Sequence, residues 1–137
     1  MTIYASTQEL YDVLLPFYNK IVTDPDVGPQ FAKSGTSFRI RHTDPDAVFL
    51  LDATAEPLTL LHADAADAAE PEVDLLMSAD DGHKFWLGQL NLPIALARKK
   101  IKVTGGVTKL LGLVPALSPA YEIYRSYLTE IGRSATA

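Results

Sequence analysis

The side chains able to do acid–base, nucleophilic or metal chemistry in this sequence are few and scattered. There are three histidines, His42, His62 and His83, and no cysteine. Without cysteine there is no disulfide, no thiolate ligand and no thiol nucleophile. The histidines lack the H-x-H and H-E-x-x-H spacings that aim two imidazoles at one metal, so neither a metal nor a cofactor is expected. His42 and His62 close strand-like segments, which suggests surface or edge positions, with the two as possible sheet neighbours. His83 follows Asp80 and Asp81, acids that suit the first turn of a helix. The carboxylate pairs Asp64/Asp67 and Glu70/Glu72 lie in a polar stretch and lack the burial or charged neighbour that tunes a general acid or base. There is no G-x-S-x-G elbow, G-x-G-x-x-G turn or P-loop. An enzyme would have to gather dispersed groups such as Tyr121, Tyr124 and His83 into one cleft, and the expectation is a non-enzymatic protein.

The elements that would position any site follow from composition and periodicity. The 137 residues, 47% apolar and 21% charged, suit one globular domain over 1–137, with its core at about 5–130 and a disordered tail at 134–137. A net charge of −5 argues against nucleic acid and against general attraction to anionic membranes, although Arg98, Lys99, Lys100 and Lys102 form a local basic group. The N-terminus does not read as a signal peptide. The uncharged stretch 110–121 is shorter than the roughly 20 residues of a spanning helix and holds two prolines. A soluble, cytoplasmic protein without an integral membrane segment is expected.

Ser6-Thr7-Gln8-Glu9 is a capping box ahead of Leu10, Val13, Leu14, Phe17, Tyr18 and Ile21 at helical spacing, with Pro16 expected to kink or divide that helix. Alternation over 37–42, an apolar run at 47–52, and segments at 58–62 and 73–77 read as four strands. They are separated by a turn at 43–46, a break at Glu56-Pro57 and an acidic connection at 63–72 read as solvated. Short connections predict an antiparallel meander. Helical segments follow around Phe85 and Leu90 and over 94–99, then a fifth strand at 101–104 ended by Gly105-Gly106. A helix over 107–114 is expected to stop at Pro115, and another to start at Ser118-Pro119 and end at Gly132. The fold class is α+β, a five-stranded, mostly antiparallel sheet covered by helices.

What this inventory leaves is an apolar surplus on short, proline-broken helices: Phe85, Trp86, Leu90, Ile94, Leu110, Leu113, Leu117 and Tyr121. Phe49, Leu51 and Met77 are candidates from the sheet, although Val48/Leu50 is an equally apolar pair and leaves the facing side open. Such stripes ordinarily make core. Broken helices over an apolar sheet face can also leave a cavity, where each buried methylene contributes about 0.8 kcal/mol. A ten-methylene chain would gain roughly 8 kcal/mol gross, before the ordering cost of association.

Residues 72–80 (Glu-Val-Asp-Leu-Leu-Met-Ser-Ala-Asp), 85–91 (Phe-Trp-Leu-Gly-Gln-Leu-Asn), the helix over 95–100 and 101–105 (Ile-Lys-Val-Thr-Gly) together resemble the sterol carrier protein 2 (SCP2) domain family, best over 72–106 and plausibly over about 5–130. The resemblance implies a five-stranded sheet under helices around an apolar tunnel for a fatty acyl chain, acyl-CoA, phospholipid or sterol, with 110–124 helping to close it. The ending Ser-Ala-Thr-Ala is no peroxisomal address, and the acidic charge and standalone length suggest a bacterial type. Implied partners are a lipid or steroid-like small molecule and, in an alternative role, an enzyme of lipid, steroid or quinone metabolism for which the domain is an accessory or scaffold.

Overall fold

A computed structural model of the chain describes residues 3–54 and 58–133. The Glu56-Pro57 break and the tail 134–137 lie outside them. The first helix, α1 (Thr7–Thr23), is capped by Ser6, whose hydroxyl accepts from the Glu9 amide at 3.1 Å, while the Glu9 carboxylate reaches one residue past the N-cap and accepts from the Ala5 amide. It runs through Pro16 undivided. Both Pro16 and Asp12, whose carbonyl the proline leaves without a donor, are exposed, so water replaces the lost bond. The opposite face buries Leu10, Val13, Leu14, Phe17, Tyr18 and Ile21, each worth roughly 1.5–3 kcal/mol. The shorter α2 (Val27–Ser34) closes on Gly35 in the left-handed conformation.

Five strands follow, β1 (Ser37–Thr43), β2 (Ala47–Asp52), β3 (Thr59–His62), β4 (Val73–Ser78) and β5 (Lys102–Gly105), in the spatial order β3-β2-β1-β4-β5. Three of the four pairings are antiparallel, but β4 lies parallel to β1, with Phe38 opposite Val73 and His42 opposite Met77. The meander therefore ends at β3. Parallel neighbours need a crossover, and the acidic stretch read as a solvated connection supplies it: residues Ala63–Ala68 form helix α3, packed on β2 and β3.

That crossover answers which sheet face holds the core. Val48 and Leu50 turn outward beneath Ala66 of α3 in a small cluster of their own, while Phe49 and Leu51 join the main core. Arg39, pointing outward from β1, latches the crossover. Its guanidinium donates to both Asp74 carboxylate oxygens at 3.2 and 2.7 Å and to the carbonyls of Asp67 at 3.0 Å and Ala69 at 2.7 Å. Lysine keeps the charge but not the planar fork. Arg39→Lys is expected to cost about 1–2 kcal/mol in urea unfolding; an unchanged midpoint would mean that α3 is held by its apolar contacts alone.

On the inner face lie α4 (Ala79–Trp86), α5 (Leu92–Ala97), α6 (Val107–Leu111) and α7 (Val114–Glu130), with α1 and α2. The C-terminal helices begin elsewhere than expected. The break falls at Gly112-Leu113, Pro115 occupies the first turn of α7, where a missing N–H costs nothing, and Pro119 is carried inside the helix. The Tyr127 hydroxyl of α7 donates to the Val13 carbonyl of α1 at 2.6 Å, tying the two long helices together.

Candidate functional site

Between the sheet and the helices is an apolar cavity of about 40 Å³. Its floor is Phe38 and Ile40 of β1, Leu51 of β2, and Leu75 and Met77 of β4. Phe85 and Trp86 of α4 and Leu92 of α5 form one wall, and Phe31 of α2 and Ile101 complete the sides. Leu110, Leu113 and Leu117 roof it from α6 and α7. Every lining side chain is apolar. Such a space has room for a water or two but offers none of the polar partners a water needs, so it stays dry. Sites for drug-sized ligands run to roughly 300–1,000 Å³.

The chemistry of the surroundings explains what is rigid. Ser78 caps α4 by accepting from the Asp81 amide at 3.0 Å, and Asn91 caps α5 by accepting from the Ile94 amide at 3.1 Å. Gly88, at φ +80°, turns the chain out of α4, and a Cβ there would lie 3.1 Å from the Tyr121 ring. Behind the wall, the Trp86 indole N–H donates to the Tyr18 hydroxyl at 3.2 Å, and His83 Nδ1 lies 2.7 Å from the Tyr124 hydroxyl. Burial pushes the Tyr18 and Tyr124 phenols well above the usual tyrosine range, so they serve as neutral hydrogen-bonding groups. The roof is held differently. Neither α6 nor the start of α7 has a side-chain cap, and α6 lies between Gly105-Gly106 and Gly112. One ion pair, Lys109 to Glu72 at 2.8 Å, ties it to the sheet.

Of the residues singled out from the sequence, Leu51, Met77, Phe85, Trp86, Leu110, Leu113 and Leu117 come together around the cavity. Four do not. Phe49 is fully buried among Tyr11, Tyr18 and His42, on the α1 side of the sheet. Leu90 lies beyond the end of α4, half-buried against the core, because the helix stops at Trp86 and not at Leu90. Ile94 is 53% exposed, since α5 turns Leu92 and Ala95 inward instead. Tyr121 is half-buried, covering Gly88 and meeting Phe85 edge-on at 6.3 Å.

Lining residues the sequence reading passed over carried a signal in their phase. Phe38 and Ile40 alternate in step, as do Leu75 and Met77. His42 continues the Phe38/Ile40 phase and is buried, neither at the surface nor beside His62, which pairs with Phe49. His83 and Tyr124 do meet, but in the core and not in a cleft. Among the described residues there is no group of three His, Cys, Asp or Glu side chains placed to hold a metal, and no helix is long and apolar enough to cross a membrane.

No family profile matches the sequence, and no curated protein matches it. Solved structures match its backbone. The solution structure of sterol carrier protein domain 2 of Helicoverpa armigera superposes with a TM-score of 0.63, covering 80% of this chain and 88% of that one at 16% identity. The apo form of sterol carrier protein 2 from Yarrowia lipolytica gives 0.62 over 88% and 96% of the two chains at 15% identity. The chain has the SCP2 fold. A third SCP2 domain, described as the ubiquinone synthesis protein UbiJ-SCP2, gives 0.56 over 83% and 89% at 15% identity. With so few identities, what is shared is the backbone fold; the side chains that line the cavity are this chain's own.

Proposed function

We propose that this protein is a non-enzymatic binder or carrier of an elongated apolar molecule, a fatty acyl chain, acyl-CoA, phospholipid or sterol-like compound, held in the cavity beneath α6 and α7. The observation that carries the reading is an apolar interior space roofed by α6 and the start of α7, neither of which has a side-chain cap. An apolar chain needs no polar group inside, and this space supplies none. Entry requires the roof to lift: the cavity at about 40 Å³ is an order of magnitude below an ordinary ligand site. Lifting α6 breaks one exposed ion pair, worth about 0–1 kcal/mol, and parts Leu110 and Leu113 from contacts that the incoming chain replaces.

Trp86 is the single tryptophan and lines the space, so it reports on occupancy. Titration of delipidated protein with a saturated long-chain fatty acid is expected to shift Trp86 emission saturably, and native mass spectrometry to show a one-to-one adduct. Unmoved emission together with no adduct across fatty acids, acyl-CoA and sterols would remove this reading.

The small size of the cavity and the ubiquinone-synthesis role in the name of one SCP2-fold neighbour favour one second reading, an accessory or scaffold protein for an enzyme of lipid or quinone metabolism. Co-purification with one enzyme, unaffected by a variant that fills the cavity, would separate it from the carrier.

A further inference from the structure

The charges of this acidic chain are unevenly placed. Residues 82–121 hold six cations, Lys84, Arg98, Lys99, Lys100, Lys102 and Lys109, and not one acid. The remaining 97 residues carry six cations against 17 acids, a net −11. All six cations are exposed, and among the described residues only Lys109 is in an ion pair. Half of the exposed large apolar side chains of the described residues fall in the same span: Ile94, Val107, Leu111 and Val114. Val107 and Leu111 are one turn apart on the outer side of α6, whose inner side sends Leu110 into the cavity roof. Next to them is a shallow depression of about 610 Å³ whose lining includes Leu96, Lys99, Lys102, Val103 and Val107, joining α5, the edge strand β5 and α6.

We propose that this cation-rich face, centred on Lys99, Lys102, Val107 and Leu111, docks on an anionic lipid surface. Two features are needed for a protein to lie reversibly on such a surface, apolar side chains to enter the interface and cations to meet the headgroups. Here both occur together, and the acids that β4 brings beside them, Glu72 and Asp74, are already paired with Lys109 and Arg39. A net charge of −5 excludes general attraction but not oriented attraction, because the potential falls off within a Debye length of about 8 Å at physiological salt. The lysines also guard the open edge of β5 against strand pairing. That role needs one or two of them and leaves the outward Val107, Leu111 and Val114 without a purpose. The docked face is the outer side of the cavity roof, so contact with lipid would act on the helix that must move for loading.

The docking does not depend on what the cavity holds, and its test uses unliganded protein. Co-flotation of the full chain with phosphatidylcholine vesicles containing one-third phosphatidylglycerol is expected to recover the protein at low salt and to release it as salt rises. Pure phosphatidylcholine should recover little. Each lysine near an anionic surface is worth about a fivefold change in partition, so Lys99→Glu with Lys102→Glu should weaken recovery by more than twentyfold. Val107→Ser with Leu111→Ser should weaken it independently. Lys20→Glu, outside the span, should leave it unchanged. All these positions are exposed, and unchanged melting of the variants keeps the comparison valid. Absence of binding to anionic vesicles overturns the proposal and leaves an acidic protein as the partner of this face. Equal binding to neutral vesicles, or binding indifferent to both double variants, overturns it too. So does self-association without vesicles that the Lys99/Lys102 variant abolishes, which would mark the face as a contact between copies.

Discussion

Leu113→Trp is expected to abolish uptake of long-chain lipid while leaving the protein folded. Leu113 is buried where α6 hands over to α7, with one side on the cavity and the other on the open depression between α2 and α6 that includes Lys33 and Lys109. It stands between the interior space and the exterior. An indole there fills the space a chain would enter. Excluding only two methylenes, at about 0.8 kcal/mol each, weakens binding more than tenfold, and blocking the mouth removes it altogether. The cost to the fold is the ordinary one for overpacking, about 1–3 kcal/mol, at a site backed by the weakly anchored α6. The opposite change has the opposite pattern. Leu113→Ala is expected to cost about 2–5 kcal/mol of stability and still load lipid. Fatty-acid titration read by native mass spectrometry, with urea unfolding beside it, gives both quantities. If Leu113→Trp loads as well as the parent, the ligand does not reach the cavity past α6. If both variants simply track stability, Leu113 is a core residue with no part in binding.

Local rules carried much of this fold into view. Ser6 caps α1 as its place in the sequence predicts, and the strands lie close to where alternation placed them. What the sequence hid was long-range. The parallel pairing of β1 with β4 depends on Arg39 reaching Asp74 and the carbonyls of α3, a contact over some 30 residues that no periodicity encodes. The wall and roof show in the sequence because their apolar residues cluster, but α5, only six residues long, has too few turns to fix its phase, and its inward residue is Leu92 and not Ile94. The step from apolar to hollow was also beyond the sequence: the space is there, but it is small, about 40 Å³, and its size depends on how the helices settle on the sheet.

The second large effect is expected in acid. His42 is 3% exposed, set between Ala47 of β2 and Met77 of β4, with Phe49 edge-on at 5.9 Å. Neither ring nitrogen has a hydrogen bond of normal geometry among the described residues, although backbone groups of Ser78 and Met77 come near enough to offset part of the loss. The helix above is shaped to the ring. Gly82 stands in the middle of α4, where glycine costs about 1 kcal/mol relative to alanine, and a Cβ there would come within 2.6 Å of His42 Cε1. Burial drives the imidazole pKa down to about 4 from an ordinary 6.5. The folded protein thus holds His42 neutral where the unfolded chain would bind a proton. Above pH 6.5 neither state is protonated there and no stability is lost. As the pH falls from 6.5 to 4 the unfolded state alone gains the proton, and stability drops, by about 3 kcal/mol at most. That is a large share of the 5–15 kcal/mol a domain of this size has. Carboxylates add their own acid dependence, so the informative quantity is a difference. His42→Leu removes the titration and the unsatisfied nitrogens together. Relative to the parent it is expected to be near neutral or slightly more stable at pH 7.5, with an advantage that widens by about 2–3 kcal/mol by pH 4.5. Urea midpoints across that range measure it. Parallel pH profiles for the two proteins would show that the ring finds water or a partner on protonation, and that the packing of Gly82 over His42 serves shape alone.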